Sequence, residues 1–210
     1  MKYKGIIFDL DGVICHTDKY HYQAWKKLAD RLGIYFDEEI NNRLRGVSRM
    51  ESLEIILERS DKQYTEQEKE AFATEKNEVY KELLKQMTPA ELSPVVKNTL
   101  DQLREKGMKL AIGSSSKNAG FILGQLGLAD FFDAVSDGNN ISHSKPDPEV
   151  FLKAAEFLNL PASECLVVED AEAGLLAARN GGMDSAAIGD AVKSELPQYK
   201  LNEFSDLLNI

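Results

Sequence analysis

The chain has few cysteines, no long apolar run and no surplus of basic residues, and each shortage excludes something. Its two cysteines, Cys15 and Cys165, stand far apart and outside any cysteine-rich pattern, which excludes a disulfide framework and fits a reduced, cytoplasmic setting. No apolar stretch approaches the ~20 residues needed to span a bilayer. Met1-Lys2-Tyr3-Lys4 runs directly into an apolar strand, leaving no stretch for a signal peptide. Lys and Arg total 25 against 35 Asp and Glu, a formal net charge of -10. Such an acidic surface argues against nucleic acid or an anionic membrane as partner. A small anionic ligand stays open, because a few local cations and backbone N–H groups can dominate a pocket. Repeats and low-complexity segments are also missing. The 210 residues, with 43% hydrophobic and 29% charged content, fit one large globular domain or two unequal ones.

Two patterns alternate along what is present. The run Gly5-Ile6-Ile7-Phe8 reads as a buried strand. Residues 16 to 87 then read as almost wholly helical, with Ala24, Trp25, Leu28 and Leu32 before Gly33, a second stretch at Leu53, Ile56 and Leu57, and a long third one through Phe72, Lys76, Val79, Leu83 and Met87. From Ser93-Pro94 onward, short apolar strands (109–113, 134–136, 165–168 and 185–188) alternate with helices. Ser93-Pro94 and Asp147-Pro148 read as N-cap and first-turn pairs. This order predicts an α/β fold, a Rossmann-like doubly wound parallel sheet with helices on both faces and a helical cap inserted after the first strand. The expected division is a discontinuous core of residues 1–15 and 88–210 and a cap of residues 16–87.

Polar groups gather where strands end. In Asp9-Leu10-Asp11-Gly12, two carboxylates at i and i+2 point the same way from a strand. They read either as an acidic turn or as one site at the carboxyl edge of the sheet, where open α/β folds bind ligands. There one carboxylate can act as nucleophile and the other can move a proton. Ser114-Ser115-Ser116-Lys117-Asn118 follows the second strand and reads as a serine-rich helix cap or an anion site. Lys145, stiffened by Pro146, is either a loop cation or a partner for a phosphoryl oxygen. Glu169-Asp170 directly follows a buried strand, where two adjacent carboxylates are costly unless they meet a cation. Strand ends of one parallel sheet converge, so together these groups outline a phosphoryl-transfer site with Mg²⁺.

The segments Asp9-Leu10-Asp11-Gly12-Val13, Ser114, Lys145-Pro146 and Glu169-Asp170 resemble, in order, the four motifs of the haloacid dehalogenase superfamily. The resemblance implies Asp9 as a nucleophile that forms an aspartyl phosphate and Asp11 as general acid and base. Ser114 and Lys145 would hold the transferring group. Mg²⁺ would be bound by the Asp9 side chain, the Asp11 backbone carbonyl and Asp170, with Glu169 in or near its shell.

The helical block narrows the likeness. Leu44-Arg45-Gly46-Val47-Ser48-Arg49 with Ser52, His21 ahead of Ala24-Trp25, and Lys76-Asn77 resemble the sugar-handling residues of the β-phosphoglucomutases. That resemblance implies Arg49, Ser116, Lys117 and Asn118 on the non-transferring phosphate. His21, Gly46, Val47, Ser52 and Lys76 would line the sugar site, with Thr17, Trp25, Arg45 and Ser115 also at the substrate. The implied enzyme is a cytoplasmic monomer that interconverts β-D-glucose 1-phosphate and glucose 6-phosphate through glucose 1,6-bisphosphate. A sugar-phosphate phosphatase is the alternative, and an inactive phosphosugar-binding relative the reading from another class. His16, Ser115 and Ala171 depart from the pattern, and Ser115 does so beside the phosphoryl site.

Overall fold

The computed structural model describes residues 2–45 and 47–210. Six parallel strands form one sheet: β1 (Gly5–Phe8), β2 (Lys109–Gly113), β3 (Ala134–Ser136), β4 (Cys165–Glu169), β5 (Asp184–Ala187) and β6 (Tyr199–Lys200), in the order β3-β2-β1-β4-β5-β6. Apart from Lys109, which starts β2, and Glu169, which ends β4, the central strands are apolar because the sheet is covered twice. Ile6, Phe8, Leu110, Ile112, Leu166 and Val168 face one apolar cluster, and Ile7, Ala111, Cys165 and Val167 face another. Helices α5 (Pro94–Glu105) and α6 (Ala119–Gln125) supply Val96, Leu100, Leu103 and Ile122 to the first. Helices α7 (Glu149–Phe157) and α8 (Glu172–Asn180) supply Val150, Phe151, Ala154, Ala177 and Ala178 to the second. This is the doubly wound α/β fold that the sequence predicts.

Register places the polar groups. Phe8 pairs with both Ile112 and Val168, so the residues after β1, β2 and β4 emerge side by side at the carboxyl edge. The chain passes from β1 outward in both directions across the sheet, and the crevice at such a switch point is where open α/β sheets hold ligands.

Between β1 and α5 lie α1 (Asp18–Leu32), α2 (Glu38–Asn42), α3 (Arg49–Leu57) and α4 (Glu66–Leu84). Gly33 ends α1 in the left-handed conformation, φ 72°, as its position after the apolar stripe predicts. Ser48 and Thr65 open α3 and α4 with capping boxes to Glu51 and Glu68. Trp25, Leu28, Ile34, Phe36, Leu53 and Ile56 make a cluster of their own, while Tyr20, Ala24, Tyr80 and Leu84 pack into the sheet cluster. We propose the boundaries at residues 15/16 and 87/88 for this helical block. Its return connection is tied to the sheet layer by Gln125 of α6, whose side-chain amide donates to the carbonyls of Leu84, Lys85 and Met87 at 3.2–3.3 Å, capping the end of α4.

Three local readings shift. The buried stripe of α4 is Ala73, Lys76, Asn77, Tyr80 and Leu84; it keeps Lys76 of the expected face but otherwise lies one position round from Phe72, Val79 and Leu83, because the helix buries polar groups towards a cavity. Helix α7 starts at Glu149 with Pro148 as its cap residue, and Asp147 instead accepts from the Glu149 amide at 2.9 Å. Helix α2 and strand β6 are new elements.

Candidate active site

Asp9 continues β1 by donating its amide to the Val168 carbonyl at 2.9 Å, which holds its carboxylate beside the end of β4. Lys145 is 1% exposed and its ammonium bridges Asp9 Oδ1 and Glu169 Oε1, each at 2.5 Å. The second Glu169 oxygen accepts from the amides of Asp170 and Ala171 at 3.0 and 3.1 Å, so this side chain is clamped from both sides. Burial pulls the Lys145 pKa down, but the two carboxylates more than offset this and hold the ammonium charged. Burial raises the pKa of Asp9, with Lys145 opposing it. Asp170 is pushed up to about 7, by burial first and Glu169 second.

One lysine thus pairs with two carboxylates, and a third, Asp170, lies beside them. Oxygens of Asp9, Glu169 and Asp170 lie within 4.8 Å of one another. An all-oxygen donor set with surplus negative charge suits a hard divalent cation such as Mg²⁺. Gly12, at φ 89°, lets Asp170 in: a Cβ there would fall 2.0 Å from Asp170 Oδ2. Gly174 does the same for Glu169, because a Cβ would sit 2.0 Å from its carboxyl group. Gly174→Ala is therefore expected to push Glu169 off Lys145 and lower kcat by roughly 10-fold or more. A kcat within twofold of wild type in a folded variant would show that the clamp is dispensable.

Asp11 points from the same strand end. Burial pushes its pKa up to about 6, opposed by a hydrogen bond donated by Thr17 Oγ1 to Asp11 Oδ1. A carboxyl in that range can give and take a proton near neutrality. Ser114, also buried, follows β2, with its amide bound to the Ser136 carbonyl at 3.0 Å. In the next turn the Ser116 amide donates to Ser114 Oγ and the Asn118 amide to Ser116 Oγ, so two of the N–H groups expected for an anion are spent on local turns. The loop after β3 braces this turn. Asn139 Nδ2 donates to the Lys117 carbonyl at 3.0 Å, and a Cβ on Gly138 would lie 2.5 Å from the Ser115 carbonyl. Ser115 Oγ is buried without a partner among the described residues.

These groups form one end of a cavity of about 1080 Å³, and the helical block forms the other. There Lys76, 2% exposed, approaches His21 Nδ1 at 2.9 Å and lies over the rings of Trp25 and Tyr80. Burial, then Arg49, lowers the Lys76 pKa; burial, then Lys76 and Arg49, lowers that of His21. Arg49, at the start of α3, has its own pKa lowered by burial. Among the described residues neither Lys76 nor Arg49 has a carboxylate within 4.0 Å. Two cations without counter-charge on the wall of a cavity make an anion site.

Val47, Ser52, Ser115, Ser116, Lys117 and Asn118 also line the cavity, with Asn118 Nδ2 reaching Asn77 Oδ1 of α4 at 3.0 Å. Two residues are placed differently. Thr17 is fully buried behind Asp11 and off the cavity wall, because its hydroxyl serves that carboxylate. Arg45 lines the cavity but is engaged, with Asp18 at 2.7 Å and Asp170 and Asp190 each at 3.9 Å. The expected contact at Gly46 lies outside the described residues. Tyr80, Gly138 and Gly174 are additions. Tyr80 stands one helical turn from Lys76, a signal that the shifted α4 stripe concealed.

The fold and the site define a class: α/β enzymes that work at the carboxyl edge of a parallel sheet, through a buried aspartate paired with a lysine. The chain belongs to the haloacid dehalogenase-like hydrolase family, whose model matches residues 3–182. It is 42% identical over 206 residues to a β-phosphoglucomutase of Bacillus subtilis, covering 97% of this chain and 91% of that protein. It is 32% identical to a phosphorylated carbohydrates phosphatase of Thermotoga maritima, over 86% of this chain and 82% of that protein. The crystal structure of a β-phosphoglucomutase from Clostridium difficile superposes with a TM-score of 0.92 at 38% identity, covering 98% of this chain and 93% of that one. Among the described residues no helix is long and apolar enough to cross a membrane.

Proposed function

We propose that this protein is a Mg²⁺-dependent β-phosphoglucomutase that interconverts β-D-glucose 1-phosphate and glucose 6-phosphate through a phosphorylated Asp9 and a glucose 1,6-bisphosphate intermediate. The observation that carries the reading is the two-ended cavity: Asp9, Lys145 and Ser114 at one end, and Arg49 and Lys76, cations without a carboxylate partner among the described residues, at the other. A sugar with phosphate at both ends matches both ends at once. A dianion arriving beside Lys76 and Arg49 would offset the burial that lowers their pKa values.

In this mechanism phosphorylated Asp9 donates its phosphoryl group to the free hydroxyl of the bound sugar phosphate. Asp11 takes the proton of that hydroxyl. The bisphosphate then turns end over end and returns its other phosphoryl group to Asp9, while Asp11 gives the proton to the departing oxygen. Lys145 and Ser114 steady the phosphoryl oxygens, and Arg49 with Ser116, Lys117 and Asn118 anchors the opposite phosphate. When bound by Asp9, Asp170 and the Asp11 carbonyl, with Glu169 alongside, the cation would draw charge from the phosphoryl oxygens.

A coupled assay that follows glucose 6-phosphate from β-glucose 1-phosphate, run beside phosphate release, tests the proposal. Isomerisation should dominate, disappear on chelation and return with added Mg²⁺. Phosphate release without glucose 6-phosphate would make the protein a sugar-phosphate phosphatase, and full activity in excess chelator would remove the cation.

A further inference from the structure

Asn118 stands at the N-cap position of α6, yet its side chain makes no capping bond. An asparagine there ordinarily accepts a hydrogen bond from the first turn of its helix. Here its amide nitrogen donates instead to Asn77 Oδ1 of α4 at 3.0 Å, and both residues are buried. This contact is one end of a seam. At the last residue of both helices, the Gln125 amide of α6 donates to the Leu84 carbonyl of α4 at 3.2 Å. The two helices therefore run side by side in the same direction, tied by a side-chain amide at each end of the shared stretch. Helix α4 carries Lys76 into the cavity, and α6 opens on Ser116, Lys117 and Asn118, which line it. The Asn118 amide nitrogen has two protons: Asn77 takes one, and among the described residues nothing takes the other.

We propose that Asn77 is a positioning residue for the phosphate opposite Asp9: by accepting from Asn118 it fixes which end of that amide meets the phosphate. The last torsion of an unrestrained asparagine is broad and roughly two-fold, so its carbonyl oxygen and its nitrogen exchange places. A phosphate dianion only accepts, so an N–H turned to it attracts and a carbonyl oxygen repels. Arg49 and Lys117 end in donors whatever their rotamer, and the Ser116 hydroxyl turns its proton to suit. Of the residues assigned to the far phosphate, Asn118 alone can present the wrong end. Asn77 Oδ1 accepts from the nitrogen only, which selects one orientation before the ligand arrives and leaves the second N–H for a phosphate oxygen. This inference rests on the far-phosphate site proposed above.

Two substitutions separate positioning from packing. Asn77→Ala removes the acceptor, and Asn77→Leu removes it while keeping the volume. Both should lower the ratio of isomerisation to 4-nitrophenyl phosphate hydrolysis by about 10-fold, because the aryl ester has no far phosphate. Asn118→Ala should lower the ratio at least as far, and the double variant should be no worse than Asn118→Ala alone, because Asn77 acts through Asn118. A second readout needs no turnover. In excess chelator the acids around Lys145 repel a phosphate, so the Kd of glucose 6-phosphate, by calorimetry, reads the far end. It should rise about 10-fold in both Asn77 variants. A ratio restored in Asn77→Leu would assign the loss to packing and overturn the proposal, as would a ratio or Kd unchanged in both. Should Asn77→Ala fail to fold, the ratio and Kd of Asn77→Leu decide it. A wild-type protein that binds glucose 6-phosphate in chelator without isomerising the sugar phosphate would remove the mutase reading, and the Kd of the variants would then decide the role of Asn77. No binding by the wild-type protein in chelator would overturn the proposal.

Discussion

Asp9→Asn should abolish isomerisation and ester hydrolysis together, by more than ~10³-fold, in a protein that remains folded. Asp9 Oδ1 already accepts from Lys145, at the point where β1, β2 and β4 bring their ends together. An amide can occupy this place and keep one oxygen for the ammonium, so geometry changes little. What goes is the nucleophile, because a carboxamide oxygen does not form a stable phospho-ester. Steady-state rates on both substrates, with the circular dichroism spectrum as control, check this. A variant retaining a tenth of the wild-type turnover would shift the nucleophile elsewhere in the cavity.

The second large effect concerns Arg49 and divides the two reactions. Hydrolysis of a small ester needs one phosphate held at Asp9, whereas isomerisation needs the far phosphate anchored in each of two orientations. Arg49 stands at that far end without a carboxylate partner among the described residues, so its guanidinium is available for a two-point contact. Losing such a contact costs a few kcal/mol, so Arg49→Ala should slow isomerisation by roughly 10²-fold while small-ester hydrolysis falls far less. Arg49→Lys should recover part of the loss, since an ammonium lacks the planar fork. The readout is the ratio of isomerisation to small-ester hydrolysis in the three proteins. An unchanged ratio would make Arg49 a surface cation and move the phosphatase reading ahead.

The sheet and the acidic strand ends were legible because both are written locally. Four-residue apolar runs such as Gly5-Ile6-Ile7-Phe8 and Cys165-Leu166-Val167-Val168 suit only a doubly covered sheet, and carboxylates directly after them have few uses. Short elements were not legible: Tyr199–Lys200 carries no period, and Glu38–Asn42 is little more than one helical turn. The α4 stripe was misread because apolar periodicity finds faces packed on oil. Beside Lys76, which the expected face already holds, this helix turns Asn77 inward, towards a polar cavity. Side-chain pairing was the least legible layer. Arg45 stands in a loop resembling a sugar-binding one, yet its partners Asp18 and Asp190 lie 27 residues before and 145 residues after it. Only the folded chain brings them together, and the same holds for the link from Tyr80 to Thr17 across 63 residues.

The crowding of Asp9, Glu169 and Asp170 around one ammonium also sets chemistry against stability. Burial raises the folded-state pKa values of Asp9 and Asp170 above those of an unfolded chain, so near neutrality their ionisation favours unfolding. The surrounding apolar layers therefore hold the fold together in spite of its active centre. A sequence selected for persistence alone would replace one of these acids by its amide, and the inactive Asp9→Asn protein should accordingly melt at a higher temperature than its parent. Function here sits on the less stable side of that exchange, and the two covered faces of the sheet give the molecule the margin to stay there.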